Sequence, residues 1–212
     1  MKILIGCEYS GRVRDAFSKR GHHAVSCDLR PSETPGHHIQ HDLLDVIKYD
    51  WESWDMMIAH PYCTFNTLAG IRWMYHPEDT YLPASQRRRH PKYPNRMDDF
   101  LQGVEFFNTL KNSQIPKIVL ENSMPHGLAM EHIGKYDQII QPWHFGSPFT
   151  KAAALWIKGV PKLKTKYDKS WYSGRAIKIQ ARCHLMPPSP NREKERSRTD
   201  QAIADAFAEQ WG

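Results

Sequence analysis

The stretch Asp55-Met56-Met57-Ile58-Ala59-His60-Pro61-Tyr62-Cys63 begins with an apolar run that predicts a buried strand, and it ends in a thiol. A second stretch, Lys117-Ile118-Val119-Leu120-Glu121-Asn122-Ser123, predicts another buried strand that is followed by a carboxylate and an amide. In an open α/β sheet, the carboxyl ends of parallel strands face the ligand crevice. We therefore expect Cys63 and Glu121 to lie near each other at one edge of a sheet.

Strand and helix signals alternate on either side of these two stretches. Further strands are predicted over residues 2–7, 23–27 and 152–157, and helices over 10–21, 97–110 and 199–211. This alternation is typical of a parallel sheet with helices on both faces. We therefore predict an α/β fold, in which residues 1–212 form a single Rossmann-like domain with a mostly parallel sheet.

The composition favours a globular protein with an anionic partner. The chain has 212 residues, 25% of them charged, and a formal net charge of +6. This balance suits nucleic acid or a nucleotide as partner, although a basic protein without such a partner has the same composition. No apolar run approaches the ~20 residues of a membrane span, and the N-terminus predicts a strand rather than a signal peptide. The four scattered cysteines predict a reducing cytoplasm.

Two stretches rich in Pro, Lys and Arg, residues 64–96 and 159–198, predict long basic loops. The first directly follows Cys63 and contains Arg72 and the run Arg87, Arg88 and Arg89. A mobile basic loop beside a nucleophile can close over a phosphate-bearing substrate, so these four arginines are the predicted nucleic-acid contacts. A solvated insertion explains the same composition equally well.

The turn Gly6-Cys7-Glu8-Tyr9-Ser10-Gly11 joins the first strand to the first helix, where an open sheet holds its cofactor. It has neither the GxGxxG nor the GxxxxGK[ST] pattern, which favours a ligand with a cationic amino-acid end that Glu8 would bind. Asp28 and Asp42 follow the next two segments, where carboxylates commonly accept from a ribose or an adenine amine. Each acid alone is explained as well by a helix cap, but their order predicts a nucleoside-containing cofactor.

The thiol and the carboxylate form a pair with a recognisable chemistry. A thiol nucleophile beside a proton-donating carboxylate is the pair needed to attack an electron-poor pyrimidine ring and protonate it. Burial at a strand end is expected to raise the pKa of Glu121 so that it donates a proton near neutrality. Asn122 would orient a loop or a substrate amide. The alternatives for Cys63 are a buried structural residue or, with His60, a zinc ligand, although no second spaced pair accompanies them.

The order of these motifs resembles the cytosine-5 DNA methyltransferases, and the whole chain is similar to small phage-encoded proteins of that kind. The strings that carry the resemblance are Glu8-Tyr9-Ser10-Gly11, Asp28, Asp42, Pro61-Tyr62-Cys63, Glu121-Asn122, residues 141–146 and residues 208–212. The resemblance implies a fold of the S-adenosylmethionine-dependent methyltransferase type with S-adenosylmethionine as cofactor. The cofactor-binding residues that it implies are Glu8, Tyr9, Ser10, Gly11, Asp28, Leu29, Asp42, Leu43, His60 and Pro61.

The resemblance also implies a reaction and a substrate. Cys63 would add to C6 of cytosine in DNA while Glu121 hydrogen-bonds N3, and C5 would then take the methyl group. The catalytic residues implied are Cys63, Glu121, Asn122 and Lys151. The chain departs from the family pattern at Tyr62, at Lys151 in place of paired arginines, and in a very short target-recognition region.

Two alternatives to DNA methylation stay open. One is C5 modification of a free pyrimidine nucleotide such as dCMP, and the other is a non-catalytic DNA-binding relative. The cytoplasm, that of the host cell for a phage-encoded protein, is the expected location, with no membrane partner and no metal.

Overall fold

A computed structural model describes residues 1–68 and 70–212, with Arg182 and His184 described by their backbone only. The strands are β1 (Lys2–Gly6), β2 (His23–Asp28), β3 (His38–Gln40), β4 (Met56–Ala59), β5 (Lys117–Ser123), β6 (Gln138–Ile140) and β7 (Ala153–Lys158). The helices are α1 (Arg12–Ser18), α2 (Leu43–Asp50), α3 (Arg96–Lys111), α4 (Gly127–Ile133), α5 (Lys169–Ser173), α6 (Arg182–Leu185), α7 (Arg192–Ser197) and α8 (Gln201–Trp211).

The strands form one sheet in the order β3-β2-β1-β4-β5-β7-β6. Strands β1 to β5 run parallel, whereas β7 is antiparallel to both of its neighbours. The chain leaves β1 toward β2 and β3 and then crosses back to β4, so the strand order reverses between β1 and β4. Open α/β sheets bind ligands at such a point, outside the carboxyl ends of the strands. The predicted α/β class and mostly parallel sheet are confirmed.

An apolar core covers each face of the sheet, because successive side chains of a strand point to opposite faces. Ile3 and Ile5 of β1 pack with α1 and α8 on one face, whereas Leu4 packs with α2, α3 and α4 on the other. All three side chains are fully buried. The helices therefore hold the sheet from both sides, and the loops at the carboxyl ends of the strands are left to form a site.

The bounds of β5 differ from the prediction in a way that matters for the site. The strand continues to Ser123, so Glu121 and Asn122 lie inside it and pair with Leu155 and Ala154 of β7. The sequence predicts that the strand ends at Leu120, because a carboxylate and an amide are typical of turns. Pairing with β7 on the far side keeps both residues extended.

The two stretches predicted as long loops contain regular structure. Residues 64–96 include three short 3-10 helices, Ile71–Trp73, Pro77–Asp79 and Ala84–Gln86, and residues 159–198 include α5, α6 and α7. Met74 and Asp79 are buried in the first stretch and Tyr172 in the second. Within the described residues, no helix is both long and apolar enough to cross a bilayer.

Candidate active site

Three neighbouring strands bring predicted site residues to one edge of the sheet. In β4, Ala59 is paired with Gly6 of β1 on one side and with Leu120 of β5 on the other. The next residues along β4 and β5, His60 and Glu121, therefore lie side by side. The sheet register, rather than any local motif, creates this contact.

His60 and Glu121 form a buried pair. His60 Nδ1 lies 2.8 Å from Glu121 Oε2, and the two side chains are 11% and 16% exposed. The second ring nitrogen, Nε2, is enclosed and has no hydrogen-bond partner among the described residues. The sequence interpretation assigned His60 to the cofactor, but its ring contacts the predicted catalytic carboxyl.

The surroundings of Glu121 determine its protonation. Burial is the largest influence on the pKa of Glu121 and raises it, but the hydrogen bond and charge of His60 and the charge of Lys151 outweigh it. The pKa of Glu121 is therefore held below its usual value, and the carboxyl is ionised at neutral pH. The prediction that the pKa of Glu121 is raised is wrong, because it considered burial without the contacts of His60 and Lys151.

Asn122 connects the end of β5 to the loop that carries Cys63. Its side chain is almost fully buried, and Nδ2 donates to the carbonyl oxygen of Pro61 at 3.1 Å. Its Oδ1 is enclosed without a partner among the described residues. Two roles were expected for Asn122, and its contact with Pro61 can perform the first of them, which is to orient a loop.

Cys63 lies in the exposed loop after β4. Its carbonyl oxygen accepts a hydrogen bond from the backbone N–H of Asn66 at 3.3 Å, which closes a turn directly after the thiol. Along the described chain the next helical turn begins at Ile71. The Cys63 side chain is exposed, so a ligand can reach the thiol.

Tyr62, the residue that departs from the family pattern, anchors this loop by ring stacking. Its ring stacks on Phe106 of α3 at a centroid distance of 5.3 Å and meets Phe65 edge-on. A Cβ added at Gly103 of α3 would lie 3.4 Å from the Tyr62 ring, so the glycine allows the close approach. Packing against α3 thus restrains the loop that carries Cys63.

Lys151 lies beside Glu121 and is held from two sides. Its Nζ donates to the carbonyl oxygen of Arg198 at 2.8 Å, and its backbone N–H donates to Gln141 Oε1 at 2.9 Å. Its charge contributes to the lowered pKa of Glu121. The sequence did not predict that Gln141 and Arg198 bind Lys151, because no local pattern links residues so far apart in the chain.

The turn after β1 is built around Glu8 in a way that differs from the prediction. The Glu8 carboxylate is buried and accepts from the backbone N–H groups of Val13 at 2.7 Å and Arg14 at 3.2 Å. It therefore caps the start of α1, and the Ser10 hydroxyl donates to the same carboxylate, at 3.3 Å from Oε1. The predicted contact of Glu8 with an amine of the cofactor is not supported, because the carboxylate is already occupied by the start of the helix.

The two other residues of the turn have structural partners. The Tyr9 hydroxyl donates to the carbonyl oxygen of Lys194 at 2.9 Å and lies 2.7 Å from Ser197 Oγ, which joins the turn to α7. Gly11 has a φ of 73°, and a Cβ there would lie 2.3 Å from Thr34 Oγ1. The turn therefore requires glycine at this position for both conformation and space.

Asp28 and Asp42 converge on the carboxyl end of β1. Burial most of all, and then the charges of Asp28 and Asp42 among the nearby groups, hold the pKa of the Cys7 thiol far above its ordinary value. Each aspartate also accepts one local backbone hydrogen bond, Asp28 from Arg30 at 2.9 Å and Asp42 from Leu44 at 2.8 Å. Each carboxylate therefore has acceptor capacity beyond its one backbone hydrogen bond.

The remaining cofactor candidates differ in exposure. Leu29 is 71% exposed at the rim beside Asp28, whereas Leu43 is buried against Gly6. Pro61 is buried and contributes its carbonyl to Asn122. Of the three, Leu29 alone offers an apolar side chain to a ligand.

The arginines predicted to contact nucleic acid have partners within their own segment or in the adjoining α3. Arg87 donates to the carbonyl oxygens of Leu82 and Thr80, Arg88 forms an ion pair with the buried Asp79 at 2.7 Å, and Arg89 forms one with Asp98 at 2.9 Å. Arg72 packs over the ring of Trp73 at 4.9 Å. Three of the four guanidinium groups therefore help to fold the insertion, which the sequence interpretation did not anticipate.

Comparisons with known proteins give limited information. No family model and no curated protein matches the chain. Similar solved structures include a protein assigned as a DNA modification methyltransferase encoded within an E. coli prophage, with 13% identity and a TM-score of 0.42 over 88% of this chain and 55% of that one. The methyltransferase EhMeth of Entamoeba histolytica has 10% identity and a TM-score of 0.45 over 89% of this chain and 60% of its own. The chain thus spans little more than half the length of these proteins, and the fold assignment rests on the strand order alone.

Proposed function

We propose that the protein transfers a methyl group from S-adenosylmethionine to C5 of cytosine in DNA. The observation that carries this proposal is the contact between the end of β5 and the loop that bears Cys63, formed by Asn122 and Pro61. It ties the loop that bears the exposed Cys63 to the strand that carries Glu121, which supports a site that uses both groups. The order of the motifs along the chain supports the same conclusion.

The residues at the ends of β2 and β3 fit part of the proposed cofactor. The charges of Asp28 and Asp42 both act on the Cys7 thiol after β1, and in the proposed site they accept from the ribose hydroxyls and the adenine amine. Leu29 is exposed beside them and can cover the base. Glu8 does not fit the cationic end of the cofactor, because it caps α1, so that end must bind backbone groups of the turn.

In the proposed mechanism the chain handles the pyrimidine ring. The Cys63 thiolate forms a bond to C6, and Glu121 binds the ring at N3, which together make C5 nucleophilic. When bound, S-adenosylmethionine supplies the methyl group that C5 takes. Loss of the C5 proton to a base then breaks the bond between sulfur and C6 and restores the thiolate. For a base within a duplex, the cytosine must first leave the stack.

Tritium transfer from labelled S-adenosylmethionine tests this function, with duplex DNA, single-stranded DNA and dCMP offered in parallel. We expect label in DNA with the wild-type protein and none with Cys63→Ala. DNA containing 5-fluorocytosine should trap a covalent complex with the wild type only. A trap that persists in Cys63→Ala would remove this thiol from the mechanism, and DNA that gains no label would contradict the proposal.

A free pyrimidine nucleotide is the second candidate substrate. The observation that favours it is that Arg87, Arg88 and Arg89 already have partners in the insertion or in the adjoining α3, which makes their guanidinium groups less available to a DNA backbone. Binding to a DNA backbone weakens steeply with salt, by a factor that grows with each phosphate contact, whereas binding of one nucleotide in a pocket weakens less. Label that enters dCMP alone, with shallow salt dependence, would favour this candidate.

A further inference from the structure

Lys151 lines a small cavity that the proposed mechanism does not use. The cavity has a volume of about 70 Å³, and residues of α1, α6, α7 and the segments before β7 and α8 surround it. The charged residues that line it are Arg12, Lys151, Glu195, Arg198 and Asp200. Because the charge of Lys151 also acts on Glu121, the cavity lies close to the proposed catalytic carboxyl.

The two acids of the cavity already have partners. Glu195 forms an ion pair with Arg198, which also binds the carboxylate of Glu33 at 2.8 Å. One oxygen of Asp200 caps α8, and the other accepts from the hydroxyl of Ser147 at 2.9 Å. The charge of Arg198 is therefore balanced by two carboxylates, and both oxygens of Asp200 are bound within the protein.

Arg12 and Lys151 differ from Arg198, because neither of them forms an ion pair with a residue that the structure describes. Arg12 Nη1 donates to the carbonyl oxygen of Thr199 at 2.7 Å, and Lys151 Nζ donates to that of Arg198 at 2.8 Å. A carbonyl group has no net charge, so it accepts the hydrogen bond without neutralising the cation. Each side chain also has N–H groups beyond the one that binds this carbonyl. The cavity therefore has two cations that are available to an anionic ligand.

We propose that this cavity binds one phosphate group, with Arg12 and Lys151 as the two cations that hold it. The inference rests on the proposed function, in which the phosphate belongs to the nucleotide whose ring binds at Glu121. Lys151 then contacts the phosphate on one side and acts on the carboxyl that binds the ring on the other. The phosphate thus fixes the position of the nucleotide at a second point, away from the reacting ring.

The chemistry and the size of the cavity both fit a phosphate. A phosphate accepts charge-assisted hydrogen bonds, and a guanidinium such as that of Arg12 can bind two of its oxygens at once, whereas Lys151 contributes a point charge. Pockets for whole drug-sized ligands measure about 300–1,000 Å³. A cavity of about 70 Å³ therefore suits a single group of the ligand, and the rest of the nucleotide lies outside it.

Four substitutions separate phosphate binding from folding. Arg12→Gln and Lys151→Gln each remove one of the two charges, whereas Arg12→Lys keeps the charge and loses the guanidinium fork. Arg20→Gln removes an exposed arginine beyond the other end of α1 and is the matched control. Because Arg12 also binds Thr199, hydrogen exchange over residues 192–200 verifies that each variant keeps this segment folded. Lys151→Gln tests the site independently if Arg12→Gln does not fold.

The first readout is the binding of inorganic phosphate, which needs no activity. Equilibrium dialysis with radiolabelled phosphate, at an ionic strength held constant with sodium chloride, measures the affinity apart from screening. We expect one saturable site in the wild type, with affinity about tenfold lower or less in Arg12→Gln and Lys151→Gln, and intermediate in Arg12→Lys. Arg20→Gln should equal the wild type. A wild type without a saturable site, or with the same affinity as Arg12→Gln and Lys151→Gln, would overturn the inference.

The second readout identifies the source of the phosphate. In DNA that accepts label, a neutral methylphosphonate replaces the phosphate beside the target cytosine, and in a control strand it replaces a distant one. If the source is DNA, the adjacent replacement should weaken binding to the wild type about tenfold and binding to Arg12→Gln hardly at all. If the source is dCMP, its KM should lie well below that of deoxycytidine in the wild type and equal it in Arg12→Gln, with kcat little changed.

The failure of this inference and that of the proposed function can be told apart. Methyl transfer by a protein that has no saturable phosphate site would leave the proposed function standing and reject the inference. Phosphate binding that depends on Arg12 and Lys151, in a protein that methylates no substrate, would keep the site and reject the proposed function. Equal weakening by methylphosphonate at either position in DNA, with equal KM for dCMP and deoxycytidine, would also reject the inference.

Discussion

Glu8, in the turn after β1, and Glu121, near the carboxyl end of β5, are two carboxylates with different partners. Glu8 is bound by backbone N–H groups at the start of α1, whereas Glu121 is bound by an imidazole and leaves Oε1 available. Backbone N–H groups at the start of a helix are fixed in place, so a carboxylate that accepts hydrogen bonds from them has a structural role. A carboxylate that shares a proton with a side chain can change its protonation state during a reaction. The two acids are of the same residue type, and their partners decide their roles.

The capping role of Glu8 predicts a loss of stability on substitution. Glu8→Ala leaves the N–H groups of Val13 and Arg14 buried without acceptors, so the free energy of unfolding should fall by about 1–2 kcal/mol. Urea denaturation measures this change. Asp28→Asn, in contrast, should leave stability within about 0.5 kcal/mol and weaken binding of S-adenosylmethionine. Unchanged stability in Glu8→Ala together with lost cofactor binding would return Glu8 to the cofactor site.

At the scale of elements, the insertion 64–96 and the segment 161–178 differ in whether their basic residues have partners. The arginines of the insertion bind acids and carbonyls nearby, most tightly Arg88 with the buried Asp79. In residues 161–178, four exposed lysines have no ion-pair partner among the described residues: Lys162, Lys164, Lys169 and Lys178. A cation that already has a partner contributes less to binding a phosphate than one that is only hydrated.

This contrast predicts which basic residues bind DNA. Replacing the four lysines by alanine should lower DNA affinity and reduce the slope of log K against log salt by about 0.9 for each phosphate that the variant no longer neutralises. Arg88→Ala should instead increase hydrogen exchange through residues 76–90, because Asp79 loses its partner. Fluorescence anisotropy at several salt concentrations, with exchange measured on both variants, separates the two effects. A slope that falls in Arg88→Ala and not in the lysine variant would assign the DNA contacts to the arginines of the insertion instead.

The elements that the sequence predicts and those that it misses differ in a physical respect. Some elements have apolar patterns long enough to be predicted from the sequence: helices α3 and α8 and strands β1, β4 and β5. The three-residue strands β3 and β6 are formed only by pairing with their neighbours. Likewise, the order of Cys63 and Glu121 along the chain predicts a shared edge, but the contact between His60 and Glu121 depends on the register of β4 with β5. Pairing between distant segments leaves no local signal.

At the scale of the whole molecule, the end of the chain returns to the turn after β1. Helix α8 packs on α1, and the carbonyl oxygen of Thr199 accepts from Arg12 at 2.7 Å. Tyr9 binds α7, and Arg198 and Lys194 both form ion pairs with Glu33, in the loop after β2. The carbonyl oxygen of Arg198 also holds Lys151 beside Glu121. The segment 192–198 therefore connects the proposed cofactor turn with the proposed catalytic carboxyl.

The ion pairs of Glu33 make this connection dependent on pH. The hydrogen bond from Arg198 is the largest influence, and together with Lys194 it lowers the pKa of Glu33 from 4.5 to about 2. A lowered carboxyl pKa stabilises the folded form at pH above the ordinary value, and the stabilisation is lost as pH falls from 4.5 toward 2. Hydrogen-exchange protection of residues 192–198 should therefore decline over that interval while the sheet stays protected. Glu33→Gln should reproduce the low-pH protection at pH 7, and Glu195→Gln, which removes the more exposed partner of Arg198, should have a smaller effect. Equal protection in Glu33→Gln and the wild type would mean that Tyr9 and Arg12, rather than the ion pairs, hold the segment in place.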